Sequence, residues 1–129
     1  MTTAADILLV DDNAVQTATR KAILCRSGRT VAVANSAAEA LIMLESRELQ
    51  NSLGLVITDH LMPGMSGPQF VKALRERMPQ MAVLVLSGLP DVESEYESLD
   101  VVFRMKPMDP EQLIHLVQSL LSQPMRRTA

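Results

Sequence analysis

The sequence has few aromatic residues, one cysteine and no long apolar run. Aromatic residues make up 2% of its 129 residues, with no Trp, so the core must be built from aliphatic side chains and Met. A single cysteine excludes an internal disulfide framework and fits a reducing compartment. Because the apolar runs are far shorter than the roughly 20 residues that a bilayer requires, and the N-terminus does not have the pattern of a signal peptide, membrane insertion is not expected.

An excess of positive charge is also missing. The chain has 15 acidic and 12 basic residues and a net charge of -3. Direct nucleic-acid binding is therefore not expected, because it needs clustered Lys and Arg to contact the phosphate backbone. The 47% hydrophobic content is enough, at this length, for the core of one domain.

Short apolar runs alternate with helical patterns along the chain. The runs predict buried strands at 7–10, 30–34, 55–58, 81–86 and 101–105. Caps and apolar spacing predict helices at 13–26, 36–44 and 68–78, and a last helix that begins at Asp109-Pro110 and stops at Pro124. Between Leu89 and Asp100 the chain is acidic with little periodicity, so the helix there should be short or loose. This alternation predicts an open parallel sheet with helices on both faces.

Polar residues follow four of the predicted strands. These residues are Asp11 and Asp12, Asp59, Ser87 and Lys106. Because ligands of open α/β sheets bind outside the carboxyl ends of the strands, we expect these side chains to meet in one crevice. Three carboxylates there would repel one another unless a cation lies among them, and hard oxygen ligands favour Mg²⁺. Lys106 and Ser87 could then bind a phosphoryl group.

Four ordered motifs resemble the receiver domain of two-component response regulators. The motifs are LLVDDN at 8–13, VITDHLMPGMSG at 56–67, LSG at 86–88 and MKP at 105–107. The resemblance covers residues 6 to 122 and implies a flavodoxin-like (βα)5 three-layer sandwich with strand order 2-1-3-4-5. The short spacing between Ser87 and Lys106 is similar to that of receivers attached to hybrid sensor kinases.

The resemblance implies a role for each matching residue. Asp59 would be the phosphoacceptor, assisted by Lys106 and Ser87. Asp12, Asp59 and the backbone carbonyl of Leu61 would bind the magnesium ion directly, and Asp11 would bind it through a water molecule. Ser87 and Phe103 would be the switch residues. They would reshape a protein-interaction face formed by the fourth helix, which is the one expected between Leu89 and Asp100, the fifth strand and the fifth helix.

The resemblance also implies partners and a setting. The phosphoryl donor would be a histidine kinase or a histidine phosphotransfer protein in the cytoplasm, and the output would pass to another protein by contact. We expect a signalling domain that assists its own phosphorylation and dephosphorylation, not an enzyme. Its predicted boundaries are an N-terminal extension at 1–5, the receiver at 6–123 and a flexible tail at 124–129. A stand-alone regulator, a relay intermediate and a receiver excised from a larger protein all fit.

Three other functions use related residues. An aspartyl-phosphate hydrolase is disfavoured because its Asp-x-Asp motif is absent, and a nucleotide-binding protein because no Gly-rich Lys-Ser/Thr loop follows the first strand. A degenerate receiver that acts as an unphosphorylated scaffold is disfavoured because no site residue is lost.

Five further residues have predicted environments. His60 is expected to face solvent beside the site, and His115 to lie on the surface of the last helix. Cys25 is interpreted as a small buried hydrophobe on the inner face of the first helix. Phe70 is expected in the core, and Tyr96 near the signalling face.

Overall fold

The computed structural model describes residues 4–122 and has a parallel sheet of five strands. The strands are β1 (Ile7–Val10), β2 (Val31–Ala34), β3 (Leu55–Asp59), β4 (Ala82–Ser87) and β5 (Val102–Met105). Their spatial order is β2-β1-β3-β4-β5, and each neighbouring pair is parallel. The predicted flavodoxin-like order is confirmed, and each predicted strand overlaps the observed one with ends that differ by at most one residue.

Within residues 4–122, four α-helices and one 3-10 turn lie between the strands, and a fifth α-helix follows the last strand. They are α1 (Ala14–Arg26), α2 (Ala37–Met43), α3 (Arg47–Ser52), α4 (Gly67–Arg77), the 3-10 turn at Glu93–Tyr96, and α5 (Pro110–Ser122). The side chains of Asn13, Ser36 and Ser66 cap the starts of α1, α2 and α4, since each accepts a hydrogen bond from an otherwise unpaired backbone N–H. The stop of the last helix at Pro124 and the tail at 124–129 lie outside the described residues.

Two apolar layers cover the sheet. Alternate residues of β1 divide between them: Leu8 and Val10 pack with α2, α3 and α4, whereas Ile7 and Leu9 pack with α1 and α5. Phe70 of α4 is fully buried in the first layer, as predicted. His115 of α5 is exposed, also as predicted. This two-sided burial leaves the carboxyl edge of the sheet as the place where polar side chains gather.

The predicted inner face of α1 is wrong. Cys25 and Val15 are exposed, the latter with 76% of its surface, while Thr17 and Leu24 are buried. The apolar residues of α1 are spread around the helix, so more than one phase fits the pattern. The phase is set instead by Leu24, which fills the second layer with no exposed surface.

The connection between β4 and β5 contains no regular α-helix. Its only helical turn is the 3-10 turn, in agreement with the predicted short helix. Arg75 of α4 holds the connection by donating hydrogen bonds to the backbone carbonyls of Leu99 (2.8 Å) and Asp100 (2.7 Å). The backbone takes positive φ at Asp91, Ser98 and Asp100, a conformation that interrupts a right-handed helix.

The short α3 was not predicted. Its sequence, RELQNS, is mostly polar, and Leu49 is its one buried residue. A single apolar position gives no periodic stripe, so no amphipathic pattern marks this helix. Within residues 4–122, no helix combines the length and apolar character that crossing a bilayer requires.

Candidate functional site

The carboxyl ends of four strands bring the predicted site residues to one edge. Asp11 follows β1, Asp59 ends β3, Ser87 ends β4 and Lys106 follows β5. Asp59 lies in register with Leu86 of β4, one residue before Ser87. The backbone N–H of Lys106 donates to the carbonyl of Ser87 at 2.7 Å, which ties the ends of β4 and β5 together. The peptide bond between Lys106 and Pro107 is cis.

Three carboxylates form a compact acidic cluster at this edge. One oxygen each from Asp11, Asp12 and Asp59 lies within 4.8 Å of the others. Asp11 and Asp59 are buried, with 3% and 6% of their surface exposed, whereas Asp12 is exposed. Hard oxygen donors gathered at a half-open edge are the donor set that Mg²⁺ prefers. The residues present therefore fit a magnesium ion.

Asp59 contacts a cation and lies close to a second carboxylate. Lys106 Nζ donates to Asp59 Oδ1 at 2.7 Å. Burial raises the pKa of Asp59 most strongly; the hydrogen bond from Lys106 opposes that rise, and the charge of Asp11 adds to it. Because the pKa of Asp59 is raised on balance, its ionised form is less stable here than in water, and added positive charge would favour that form.

Ser87 and Phe103, the predicted switch residues, lie on neighbouring strands. Ser87 is buried, and its Oγ accepts a hydrogen bond from the N–H of Leu89 (2.9 Å) and donates to the carbonyl of Leu89 (3.1 Å). Phe103 is half-buried, and its ring centroid lies 6.0 Å from that of Tyr96. The Ser87 hydroxyl is thus bound to its own loop in this structure.

Two polar residues of α1 also reach the site, and neither was predicted from the sequence. Arg20 Nη1 forms an ion pair with Asp11 Oδ2 at 2.8 Å. Gln16 Oε1 accepts from Arg20 Nη2 and from Lys106 Nζ, each at 3.3 Å. Gln16 and Arg20 are one helical turn apart and follow the Asp11-Asp12 pair closely, a spacing that could have indicated their common face.

His60 does not face solvent, so that prediction is wrong. Only 7% of its surface is exposed, and its Nδ1 shares a 2.6 Å hydrogen bond with the hydroxyl of Tyr96, which is 3% exposed. The two rings meet edge to face, with centroids 5.6 Å apart. Tyr96 comes from the 3-10 turn far along the chain, so nothing near His60 in sequence indicates this contact. Leu61, the next residue, has an exposed side chain, and its carbonyl stays a predicted ligand.

Fold and site together define a class of protein. A flavodoxin-like sheet in the order 2-1-3-4-5, with an acidic cluster and a lysine at its carboxyl edge, is the architecture of a receiver. The family model described as the response regulator receiver domain matches residues 7–118. The chain belongs to the response regulator receiver family.

Individual relatives and solved structures agree with this family. The chain is 30% identical over 118 residues to the hydrogenase transcriptional regulatory protein HoxA of Cupriavidus necator, with 88% of this chain and 23% of HoxA covered. It is 34% identical over 122 residues to the sensor kinase CckA of Brucella abortus, with 92% and 13% covered. The structure of the chemotaxis protein CheY4 of Vibrio cholerae matches with a TM-score of 0.80 and 28% identity, over 92% of this chain and 100% of that one. The chain spans about a quarter of the length of HoxA or of the response regulator FleR of Pseudomonas aeruginosa.

Proposed function

We propose that this receiver accepts a phosphoryl group on Asp59 in a Mg²⁺-dependent reaction. The observation that carries the proposal is the position of Asp59. Its buried carboxylate lies 2.7 Å from Lys106 Nζ, and one of its oxygens lies within 4.8 Å of an oxygen of Asp11 and of Asp12. A nucleophilic carboxylate between a fixed cation and a set of hard oxygen ligands is suited to phosphoryl transfer.

The proposed reaction forms one bond and breaks one. A carboxylate oxygen of Asp59 attacks the phosphorus atom of a phosphohistidine, an O–P bond forms, and the P–N bond breaks as the imidazole leaves with the electron pair and takes up a proton. Asp11, Asp12, Asp59 and the Leu61 carbonyl would hold the magnesium ion, which when bound neutralises charge on the transferring group. Lys106 holds Asp59 in place and offers its charge to the incoming oxygens.

The proposed output is a change of the face formed by the 3-10 turn, β5 and α5. Reversing a 1:99 population needs about 5.5 kcal/mol, whereas two unit charges 4 Å apart interact by about 4 kcal/mol at an effective dielectric near 20. Lys106 already pairs with Asp59 before phosphorylation, so its further gain is only part of that amount. A hydrogen bond from Ser87 to the phosphoryl group and repacking of Phe103 must therefore contribute, or the switch is partial.

The proposed partners follow from this chemistry. A histidine kinase or a histidine phosphotransfer protein in the cytoplasm would supply the phosphoryl group, and a downstream protein would bind the changed face without direct nucleic-acid contact. The receiver would extend over residues 6–123, between an extension at 1–5 and a tail at 124–129. The chain would act as a signalling domain that assists its own phosphorylation and dephosphorylation.

Intact mass spectrometry tests the proposal. Wild-type protein, Asp59→Asn and the exposed-loop control Asp91→Asn are incubated with acetyl phosphate, with Mg²⁺ or with EDTA. We expect wild type and Asp91→Asn to gain one phosphoryl group in Mg²⁺ only, and Asp59→Asn to gain none. Absence of the gain in wild type, or an equal gain in Asp59→Asn, would refute it.

A further inference from the structure

An arginine from α1 is part of the acidic cluster. Arg20 is mostly buried, with 15% of its side chain exposed, and its Nη1 lies 2.8 Å from Asp11 Oδ2. The other oxygen of Asp11, Oδ1, accepts a hydrogen bond from the backbone N–H of Asn13 at 2.9 Å. Both oxygens of Asp11 are therefore engaged by the protein's own donors.

We propose that Arg20 is an internal counter-ion of the cluster and that it lowers the affinity of the site for Mg²⁺. The inference rests on the metal site of the proposed function. The guanidinium neutralises part of the negative charge that would attract a cation, and it engages one of the carboxylates that would bind it. A divalent ion entering the cluster must share Asp11 with Arg20 or displace it, so Arg20 and the ion oppose each other.

Gln16 keeps Arg20 in position. Its Oε1 accepts hydrogen bonds from Arg20 Nη2 and from Lys106 Nζ. This one oxygen therefore bridges Arg20, which pairs with Asp11, and Lys106, which pairs with Asp59. An open cavity of about 460 Å³, lined in part by Gln16, Arg20 and Lys106, lies beside this link. That space gives the guanidinium room to leave Asp11 when a metal ion binds.

The role assigned to Arg20 is electrostatic, so its test compares charge with shape. The variants are Arg20→Leu, which removes the charge, Arg20→Lys, which keeps it without the planar fork, and Lys21→Leu, which removes an exposed charge from the next position of the same helix. Mg²⁺ affinity is measured by calorimetry on unphosphorylated protein. The Tm of each variant is recorded in EDTA and in saturating Mg²⁺.

We expect Arg20→Leu to bind Mg²⁺ more tightly by about fivefold to twentyfold, within the usual range for coupled sites. Its Tm should fall in EDTA, because Asp11 is left buried without its counter-ion, and should rise more on Mg²⁺ addition than that of wild type. Arg20→Lys should stay closer to wild type than to Arg20→Leu. Lys21→Leu should change Mg²⁺ affinity by less than about twofold, since solvent screens an exposed charge.

Unchanged or weaker Mg²⁺ binding by Arg20→Leu would overturn the inference, as would a change of the same size in Lys21→Leu. If Arg20→Leu does not fold in EDTA, Arg20→Gln replaces it, since glutamine keeps a donor for Asp11 without the charge. These measurements use no phosphoryl donor. If wild type gains no phosphoryl group while Arg20→Leu binds Mg²⁺ more tightly than wild type, the proposed function is refuted and the role of Arg20 is supported.

Discussion

Gly67 is the residue at which a single methyl group should do the most damage near the site. It is the first residue of α4, and its N–H donates to the carbonyl of His60 at 3.2 Å. A Cβ placed on Gly67 would overlap the hydroxyl of Tyr96 and lie 3.0 Å from the carbonyl oxygen of His60. We predict that Gly67→Ala forces the Tyr96 hydroxyl away from His60 Nδ1 and so destabilises the domain.

The size of the effect follows from three contributions. Leaving the buried partner of a broken hydrogen bond unsatisfied costs about 1–3 kcal/mol, and overpacking a dense site costs about 1–3 kcal/mol more. Replacing glycine by alanine restricts the unfolded chain and returns about 0.4–1 kcal/mol. We therefore expect a net loss of about 1–5.5 kcal/mol in the free energy of unfolding. The total for a typical domain is about 5–15 kcal/mol.

A double-mutant cycle gives the decisive measurement. Urea unfolding is followed by far-UV circular dichroism for wild type, Gly67→Ala, Tyr96→Phe and the double variant, because the chain has no Trp and Tyr96 is its one Tyr. Tyr96→Phe removes the atom that the methyl would meet, so the double variant should lose less than the two single losses together, by at least about 1 kcal/mol. The reasoning is refuted if the losses are additive within about 0.5 kcal/mol, or if Gly67→Ala is as stable as wild type.

Three further predictions concern burial and charge. Burial raises the pKa of Tyr96 well above its ordinary value, so the folded state holds that proton more tightly. The free energy of unfolding should therefore fall as pH rises above about 10. Urea midpoints of wild type should show this fall, and those of Tyr96→Phe should show less of it. The pKa of Asp59 is raised as well, so Asp59→Asn should be more stable than wild type at pH 7 in EDTA. This difference in the free energy of unfolding should shrink when the pH falls below the ordinary carboxyl pKa. A less stable Asn variant at pH 7 would contradict this. Leu24 is fully buried and Cys25 exposed, so Leu24→Ala should cost about 2–5 kcal/mol and Cys25→Ala less than about 0.5 kcal/mol; equal costs would show that the phase of α1 is wrong.

The strands could be predicted because each is a nearly continuous apolar run that ends at a polar residue. Ile7–Val10, for example, is buried at all four positions and stops at Asp11. Burial on both faces removes the ambiguity of alternation, and a parallel sheet then places every carboxyl end at one edge. The positions of Asp11, Asp59 and Lys106 could therefore be predicted from the order of residues alone.

The helices carry weaker signals. In α1 the apolar residues do not form one stripe. Their spacing predicted Cys25 on the inner face, whereas the structure has Leu24 there. The inner side of this helix is also partly polar, because Arg20 pairs with Asp11 and Gln16 contacts Arg20 and Lys106. A hydrophobic pattern cannot show a helix face that is occupied by an ion pair.

Contacts between distant segments were the hardest to predict. His60 and Arg20 are polar residues whose partners, Tyr96 and Asp11, are brought to them by the fold. Taken alone, a polar residue after a strand, like His60, or within a helix, like Arg20, is more often exposed than buried. Burial here depends on a specific partner, and a single sequence does not record such a pairing.

Two of the three Phe and Tyr residues of this chain, Tyr96 and Phe103, lie where the switch is proposed. Tyr96 contacts the imidazole of His60, which directly follows Asp59, and also the ring of Phe103 on β5. The structure thus connects the residue next to the acceptor with the proposed switch residue through one buried side chain. A movement of Phe103 changes the packing of Tyr96, and any shift of the β3–α4 loop at His60 reaches Tyr96 through their hydrogen bond. Because Gly67 leaves no free space beside the Tyr96 hydroxyl, Tyr96 cannot absorb either shift by moving toward α4, so motion at the site and motion at the output face should be coupled through this ring.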